Sequence, residues 1–507
     1  MDGDSSNINN ELINDEKIAE KRIDDQDQPF PDSELVIGLV GAVGTEIKRV
    51  VSEIIERLSA FNYQSREIRI SQEIIPFLSK INATDSQNEY KRIDSYMTAG
   101  NEARRNSQDN SILAMGAVAK ICEERPDKPD EKPYKPRLAY IINSLKHPEE
   151  VEKLRKIYTE GFYLIGIFSD RKTRLQYLTE DKKIKNEDAE ILMKRDEDEH
   201  LLYGQRVRDT FHLSDFFIYI DDNSKKMKKS IWRILDILFG HPYKTPTFDE
   251  YAMFMAYSAS IRSADLSRQV GAVLAQNKEI IATGANDCPQ YGGGLYWPHY
   301  DVEENDIIDD EEGRDYKRKK DSNKIEKEKI ISEIVSKFET KTQDQILITD
   351  LRDILKTSPL DDITEYGRVV HAEMEALLSC ARNNISARGG TLYCTTFPCH
   401  DCAKHIIAAG IRRVVYIEPY QKSKAIEFHD DAIRLGFVKL ANKNRTVQFE
   451  PFVGVGPRRF LDLFSMRLGA GYPLKRKDDK GHTILWDSKT SKLRIQMLPF
   501  SYIEKET

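Results

Sequence analysis

Three side chains able to hold a metal stand in two short motifs: His371 in His371-Ala372-Glu373, and Cys399 with Cys402 in Pro398-Cys399-His400-Asp401-Cys402. One imidazole and two thiolates fill three of the four tetrahedral positions zinc prefers. Water in the fourth position is what separates a catalytic site from a closed structural one. Cys399 and Cys402 are three residues apart at an expected helix start, so both sulfurs face one side. The helix N-terminus also favours thiolate over thiol. Pro398 suits the position just ahead of that helix. Glu373 lies two positions from a ligand in the first turn of its own helix. It can reach a water in the fourth position without ligating the metal, take its proton, and pass it to a ring nitrogen and a departing amine.

An H-x-E motif followed by P-C-x-x-C is the signature of zinc deaminases. Taken alone, C-x-x-C also serves as a structural zinc knuckle or a redox pair, and a fourth ligand from His400 or His405 would close the site. Cys380, late in a helix, and Cys394, in a strand, are assigned to the core. Cys288, in Asn286-Asp287-Cys288-Pro289 with His299 nearby, is the candidate for a second metal site.

These motifs need a frame. The second half reads as helix 249–264, strands 269–275 and 279–285, helix 371–383, strand 391–396, helix 399–409, strand 413–418, helix 425–435 and strand 447–451. A Lys-, Asp- and Glu-rich insertion, 301–365, interrupts it and reads as a solvated, partly helical excursion. Ahead of it, continuous apolar runs at 34–40, 137–142, 162–168 and 215–220 alternate with helical stretches at 46–58, 99–123 and 148–160. This is the pattern of a parallel α/β sheet. The charged stretch 170–208 reads as a mobile helical lid. Lys225–Lys229 and the run His241–Pro246 break the pattern and mark a boundary. The organisation is therefore an arm (1–30), a P-loop-like α/β domain (31–241), a second α/β domain (247–457) and a C-terminal extension (458–507).

Gly41-Ala42-Val43-Gly44-Thr45 follows a buried strand and opens a helix, the context of a phosphate-binding loop, with Lys48 as its cation. The stricter G-x-x-x-x-G-K-[ST] pattern fails. Glu46, Ile47 and Lys48 stand where Gly, Lys and Ser or Thr belong, so the lysine is displaced and the hydroxyl is missing. A nucleotide kinase, a nucleotide sensor and an inert strand–helix turn all stay open. Arg171, Arg174, Arg195, Arg206 and Arg208 are the lid-side phosphate candidates, or the face of a solvated helix.

Charged residues make up 32% of the 507-residue chain, whose formal net charge is −7. No apolar run is long enough for a membrane span, and the N-terminus carries no secretory pattern. Six cysteines are too few to staple a secreted fold, so a reducing cytoplasmic setting is expected. The acidic balance favours a small-molecule substrate over a polynucleotide.

Ser267–Val273 (SRQVGAV), Gly284-Ala285-Asn286-Asp287, HAEMEALL and TLYCTTFPCHDCAKHIIAAGIRRVVYIEPY together resemble a deoxycytidylate deaminase of the cytidine deaminase superfamily, over 247–457. The resemblance implies an α/β/α domain with a mixed five-stranded sheet, Zn2+ on His371, Cys399 and Cys402, Glu373 as proton shuttle, and Asn286 on the sugar hydroxyl. Asp287 departs from the glycine those deaminases carry. With the P-loop-like domain in front and Glu418-Pro419-Tyr420-Gln421-Lys422-Ser423 behind the fourth strand, the whole chain is similar to bacterial anti-phage dCTP deaminases. That similarity implies conversion of dCTP, and of dCMP, to the uracil nucleotide with release of ammonia. Resemblance to the superfamily further implies a homo-oligomer. An activity that drains an essential precursor calls for restraint, for which a protein or RNA regulator, the N-terminal domain with a nucleotide effector, and the insertion are the candidates. Arg458-Arg459-Phe460 and Lys475-Arg476-Lys477 suit a phosphate partner or a solvated face. The competing reading is an editor of tRNA or single-stranded DNA, which needs a basic channel past its pocket.

Overall fold

The computed structural model describes residues 32–79, 88–125, 134–197, 199, 203–220, 224–342, 344–419, 423–437, 446–497 and 499–506; the expected arm, 1–30, lies outside them. The apolar runs become strands β1 (Leu35–Gly41), β3 (Leu138–Asn143), β4 (Phe162–Phe168) and β5 (Phe216–Tyr219). A further strand, β2 (Gln64–Arg69), has the polar sequence QSREIR and shows no apolar run. It is an edge strand paired only to β3, so one side needs no burial. The five strands are mutually parallel in the order β5-β4-β1-β3-β2. Helix α1 (Ile47–Ser59) lays Val50, Val51, Ile54 and Leu58 on the sheet.

The single helix expected over 99–123 is two, α2 (Glu89–Ser107) and α3 (Ile112–Glu123). Gln108, at φ 55°, closes the first in the left-handed region. Pro148 opens α4 (Pro148–Tyr158). The charged stretch forms α5 (Arg171–Gln176) and α6 (Asn186–Glu197). Leu178, Ile184, Leu192 and Met193 seat it against Met97 of α2, so it is a packed lid. Lys225–Lys229 do not break the fold: they open the amphipathic helix α7 (Ser224–Leu238), which buries Met227, Ile231, Ile234 and Leu235.

The second domain begins with α8 (Phe248–Ser260) and builds a sheet from β6 (Gly271–Gln276), β7 (Glu279–Ala285), β10 (Thr391–Thr396), β11 (Arg413–Glu418), β12 (Ile433–Leu435) and β13 (Val447–Pro451). Their order is β12-β13-β11-β10-β6-β7, with β6 antiparallel to both of its neighbours. The sheet is mixed as expected but has six strands. Ile433–Leu435, read as the end of a helix, pairs in parallel with β13, and only Ala425–Phe428 is helical. Helices α11 (Ala372–Arg382) and α12 (His400–Ala408) cover one face, and α8 covers the other.

The two sheets are joined. Beyond β13 the chain forms β14 (Gly454–Val455), which pairs antiparallel with β5 of the first sheet. The buried Glu250 of α8 binds Arg233 of α7 at 2.8 Å and accepts the Val455 N–H at 2.8 Å. The C-terminal extension returns to the first domain, where Leu463, Leu493, Met497 and Tyr502 enter its cores. The insertion holds the small hairpin β8 (His299–Asp301) and β9 (Asp306–Ile308), and helices α9 (Ser322–Glu339) and α10 (Gln345–Lys356) with their own core of Ile331, Val335 and Ile348. Among the described residues no helix is long and apolar enough to cross a membrane.

Candidate metal centre and active site

Two helix N-termini converge on the three expected ligands. His371 is the residue just before α11, and Cys399 holds the same position before α12, where its Sγ accepts the Cys402 N–H at 3.4 Å. The Nδ1 of His371 lies 3.4 Å from each sulfur. Zinc at ordinary Zn–S and Zn–N lengths in a tetrahedron demands S···N edges of about 3.5 Å, so the donor set fits the ion. Without a metal the three groups share protons. Hydrogen bonding to Cys402, then to His371, lowers the Cys399 thiol to about 4. The Cys399 thiolate in turn raises His371 to about 9. The proton shared with Cys399, together with burial, holds Cys402 well above the ordinary thiol range. A metal ion held here would displace the protons of His371 and Cys402, since its ligands must be deprotonated.

Glycine fixes where these helices lie. A Cβ on Gly284 of β7 would come within 2.1 Å of the Ala372 carbonyl oxygen, so α11 rests directly on the strand backbone. On the opposite face, a Cβ on Gly271 of β6 would come within 1.9 Å of the Ala256 carbonyl oxygen of α8.

The centre opens into a cleft of about 220 Å3. Glu373 lines it and is 4% exposed, and burial raises its carboxyl above the ordinary carboxylate range. Neither His400 nor His405 closes the metal set. His400 lies with Glu365 and Asp401 in a separate group, and His405 Nδ1 lies 2.7 Å from the Asp401 carbonyl oxygen. Asn286 also lines the cleft. Its Oδ1 accepts the Val270 N–H at 2.6 Å and its Nδ2 donates to the Arg268 carbonyl at 2.8 Å, which leaves one lone pair and one N–H.

Sequence reasoning missed the insertion's part in the site. Asp315, Asp321, Asn323 and Thr364 line the cleft beside Glu373. Asp287 anchors them: its carboxylate pairs with the buried Arg314 at 3.3 Å, and its carbonyl accepts the Val370 N–H at 3.0 Å, next to His371. Asp287, which departs from the glycine the family resemblance implies, was the available signal.

Cys380 and Cys394 are core residues, as expected. Cys288 is buried, its thiol pushed up to about 11 by that burial, and among the described residues it joins no group of metal ligands. The glycine turn is bonded internally. Thr45 N–H donates to the Ala42 carbonyl, Val43 N–H donates to Asp196 at 2.6 Å, and Gly44 packs against Arg174. Of the turn residues Gly41–Thr45 and Lys48, Val43 and Lys48 line a cavity. The five lid arginines all face carboxylates: Arg171 on Glu190, Arg174 and Arg208 on Glu197, Arg195 on Glu199, and Arg206 on Asp209. Arg459 is buried between Glu160 and Asp215, and Arg476 donates to the Pro242 carbonyl. Tyr420–Lys422 lie outside the described residues.

Residues 246–418 match the family model described as the cytidine and deoxycytidylate deaminase zinc-binding region. Over 190 residues the chain is 32% identical to the deoxycytidylate deaminase of Enterobacteria phage T2, covering 37% of this chain and 88% of that protein. It is 33% identical to the phage T4 deoxycytidylate deaminase, covering 37% and 86%. The apo structure of the cyanophage S-TIM5 dCMP deaminase aligns at 19% identity and a TM-score of 0.22, over 41% of this chain and all of that one. With a donor set that fits zinc and the phage T2 relative, 32% identical, covered over most of its length, this chain belongs to the cytidine and deoxycytidylate deaminase family.

Proposed function

We propose that the chain is a zinc-dependent hydrolytic deaminase of free deoxycytidine nucleotides, converting dCTP and dCMP to dUTP and dUMP with release of ammonia. The observation that carries this reading is Glu373, buried in the same cleft that His371 and Cys399 line, beside a ligand group that among the described residues holds three side chains and no fourth. Zinc, when bound, supplies a Lewis acid that brings the pKa of water toward neutrality. Glu373 takes a proton from the attacking water and delivers it to the ring nitrogen as hydroxyl adds at C4. It then carries the hydroxyl proton to the amine, which leaves as ammonia while the carbonyl forms. Burial keeps this carboxyl able to hold a proton between the two transfers.

The cleft rim carries Asp265, Asp315 and Asp321, and Arg268 is its one cation among the described lining residues. Arg268 also pairs with Glu418 at 2.8 Å. With a single arginine in its lining the cleft lacks the basic channel an editor needs, which supports a free nucleotide over the editing alternative. It also means that cations for a triphosphate come from outside this set, which a second copy of the chain would supply. In this reading the cell drains its own deoxycytidine nucleotides and deprives a replicating phage of a DNA precursor. What supports this role is the resemblance of the whole chain to anti-phage dCTP deaminases.

The test is mass spectrometry of products from dCTP, dCMP, CTP, cytidine and a cytosine-bearing oligonucleotide, with Glu373→Gln as control. Uracil nucleotide from the free deoxynucleotides, lost in the variant, is the expected result. No product from any of them at high enzyme concentration overturns the reading.

A further inference from the structure

The acids of the metal cleft are engaged with the protein itself. Asp265 Oδ1 accepts the Ser267 and Arg268 N–H groups, both at 2.9 Å. Asp315 pairs with Arg368 at 2.7 Å, and Asp321 caps α9 by accepting the Lys324 N–H at 2.9 Å. Because Asp265 has taken its amides, the turn at 265–268 offers no backbone nest for an anion. A phosphate entering here has to be met by a side chain, and Arg268 is the one lysine or arginine among the described lining residues.

The backbone of Arg268 is fixed while its side chain reaches out. Its carbonyl accepts Asn286 Nδ2 at 2.8 Å, and its N–H is held by Asp265. The side chain stays 45% exposed, in the same cleft that buries Glu373. A nucleotide whose base reaches Glu373 directs its phosphate away from the buried end, toward the exposed arginine. A planar guanidinium suits that partner, because its N–H fork matches two phosphate oxygens.

Glu418 holds this arginine from outside the lining. It ends β11, and its Oε1 accepts Arg268 Nη2 at 2.8 Å. Its Oε2 accepts the hydroxyl of Thr396, a cleft residue, at 3.1 Å. The carboxylate thus orients the guanidinium and also shares its charge, in competition with any phosphate.

We infer that Arg268 binds the phosphate attached to the substrate sugar and so selects nucleotides over the nucleoside. Glu418 is a positioning residue that steadies the arginine and limits how tightly it grips. The inference rests on the deaminase reading and deepens it. One guanidinium, already shared with a carboxylate, takes one phosphate group, so dCMP carries all that this contact needs.

The experiment measures kcat and KM of the zinc-loaded full chain for deoxycytidine, dCMP and dCTP. Alongside it, calorimetry follows dCMP and deoxycytidine binding to the Glu373→Gln protein, with and without Arg268→Ala. Arg268→Ala should weaken dCMP binding and raise its KM roughly tenfold, and the KM of dCTP by the same factor. The loss should fall on KM rather than kcat, and deoxycytidine should lose far less. Arg268→Lys should recover part of it. Glu418→Gln keeps an acceptor for the arginine without the charge, and should tighten dCMP roughly threefold. Melting temperatures check that these variants fold. Wild-type turnover with no loss in Arg268→Ala, or with equal loss for nucleotide and nucleoside, overturns this inference and spares the deaminase reading. Weaker dCMP binding in Glu418→Gln overturns the limiting role of that carboxylate. No turnover of any of the three by the wild-type protein fells the reading, and this inference with it.

Discussion

Arg314 lies 3.3 Å from Asp287, both nearly free of solvent, and this pair fastens the charged insertion to the strand end that carries Asn286. Arg314 also binds Asp309 at 3.1 Å, so one guanidinium serves two buried carboxylates. Arg314→Met strands both and should cost about 3–5 kcal/mol. Asp287→Asn should cost less, because Asp309 still meets the arginine. Denaturant unfolding and the rate of proteolysis within 301–365 check this. Unchanged proteolysis in Arg314→Met would show that the insertion is held by something else.

Metal content separates ligand from shuttle. Cys402→Ser should lose zinc and turnover together, since one of the two thiolates in a three-ligand set is gone. Glu373→Gln should keep one zinc per chain and lose about 10²–10⁴ in kcat, the range of general acid–base catalysis. Elemental analysis of both proteins beside their rates decides it.

Gly284 carries the helix that positions Glu373. Gly284→Ala places a methyl 2.1 Å from the Ala372 carbonyl oxygen and 2.7 Å from the Ala376 nitrogen, atoms that cannot yield independently. We expect a loss of about 1–3 kcal/mol in stability, with a fall in kcat exceeding the change in KM. A variant of wild-type stability and rate would contradict the close contact.

His147 gives an acid limit far from the metal. Burial, with Arg104 and Arg206 nearby and Asp209 opposing them, lowers it from 6.5 to about 4, and its Nδ1 accepts the Glu149 N–H at the start of α4. The unfolded chain takes up this proton below about 6.5 and the folded chain below about 4. Stability therefore falls as pH drops through that window. His147→Asn keeps a capping acceptor and should flatten the loss between pH 6.5 and 4, read from melting temperatures.

The C-terminal helix, Pro499–Glu506, is part of the first domain's core. Tyr502 is fully buried and donates to Glu34 at 2.7 Å, while Arg125 bridges Glu34 and Glu506. Tyr502→Ala should cost about 3–5 kcal/mol, seen as a lower denaturant midpoint. An unshifted midpoint would mean that the tail is dispensable.

Local chemistry made part of this legible in the sequence. The apolar runs of β1, β3 and β4 are buried on both faces, so hydrophobicity alone marks them. His371, Cys399 and Cys402 betray themselves because ligand type and helix-start spacing are local properties. Other features depend on partners distant in the chain. β2 and β12 are strands because an edge was waiting for them, against a polar sequence in one case and a helical pattern in the other. The insertion looks solvated by composition, yet the buried ion pairs of Arg314 help turn it into a wall of the cleft. The glycine turn reads as a phosphate loop until Asp196, more than a hundred residues on, takes its amide. Periodicity and motif spacing report what a segment can do alone; which edge, charge or amide it meets is settled only when the chain closes on itself.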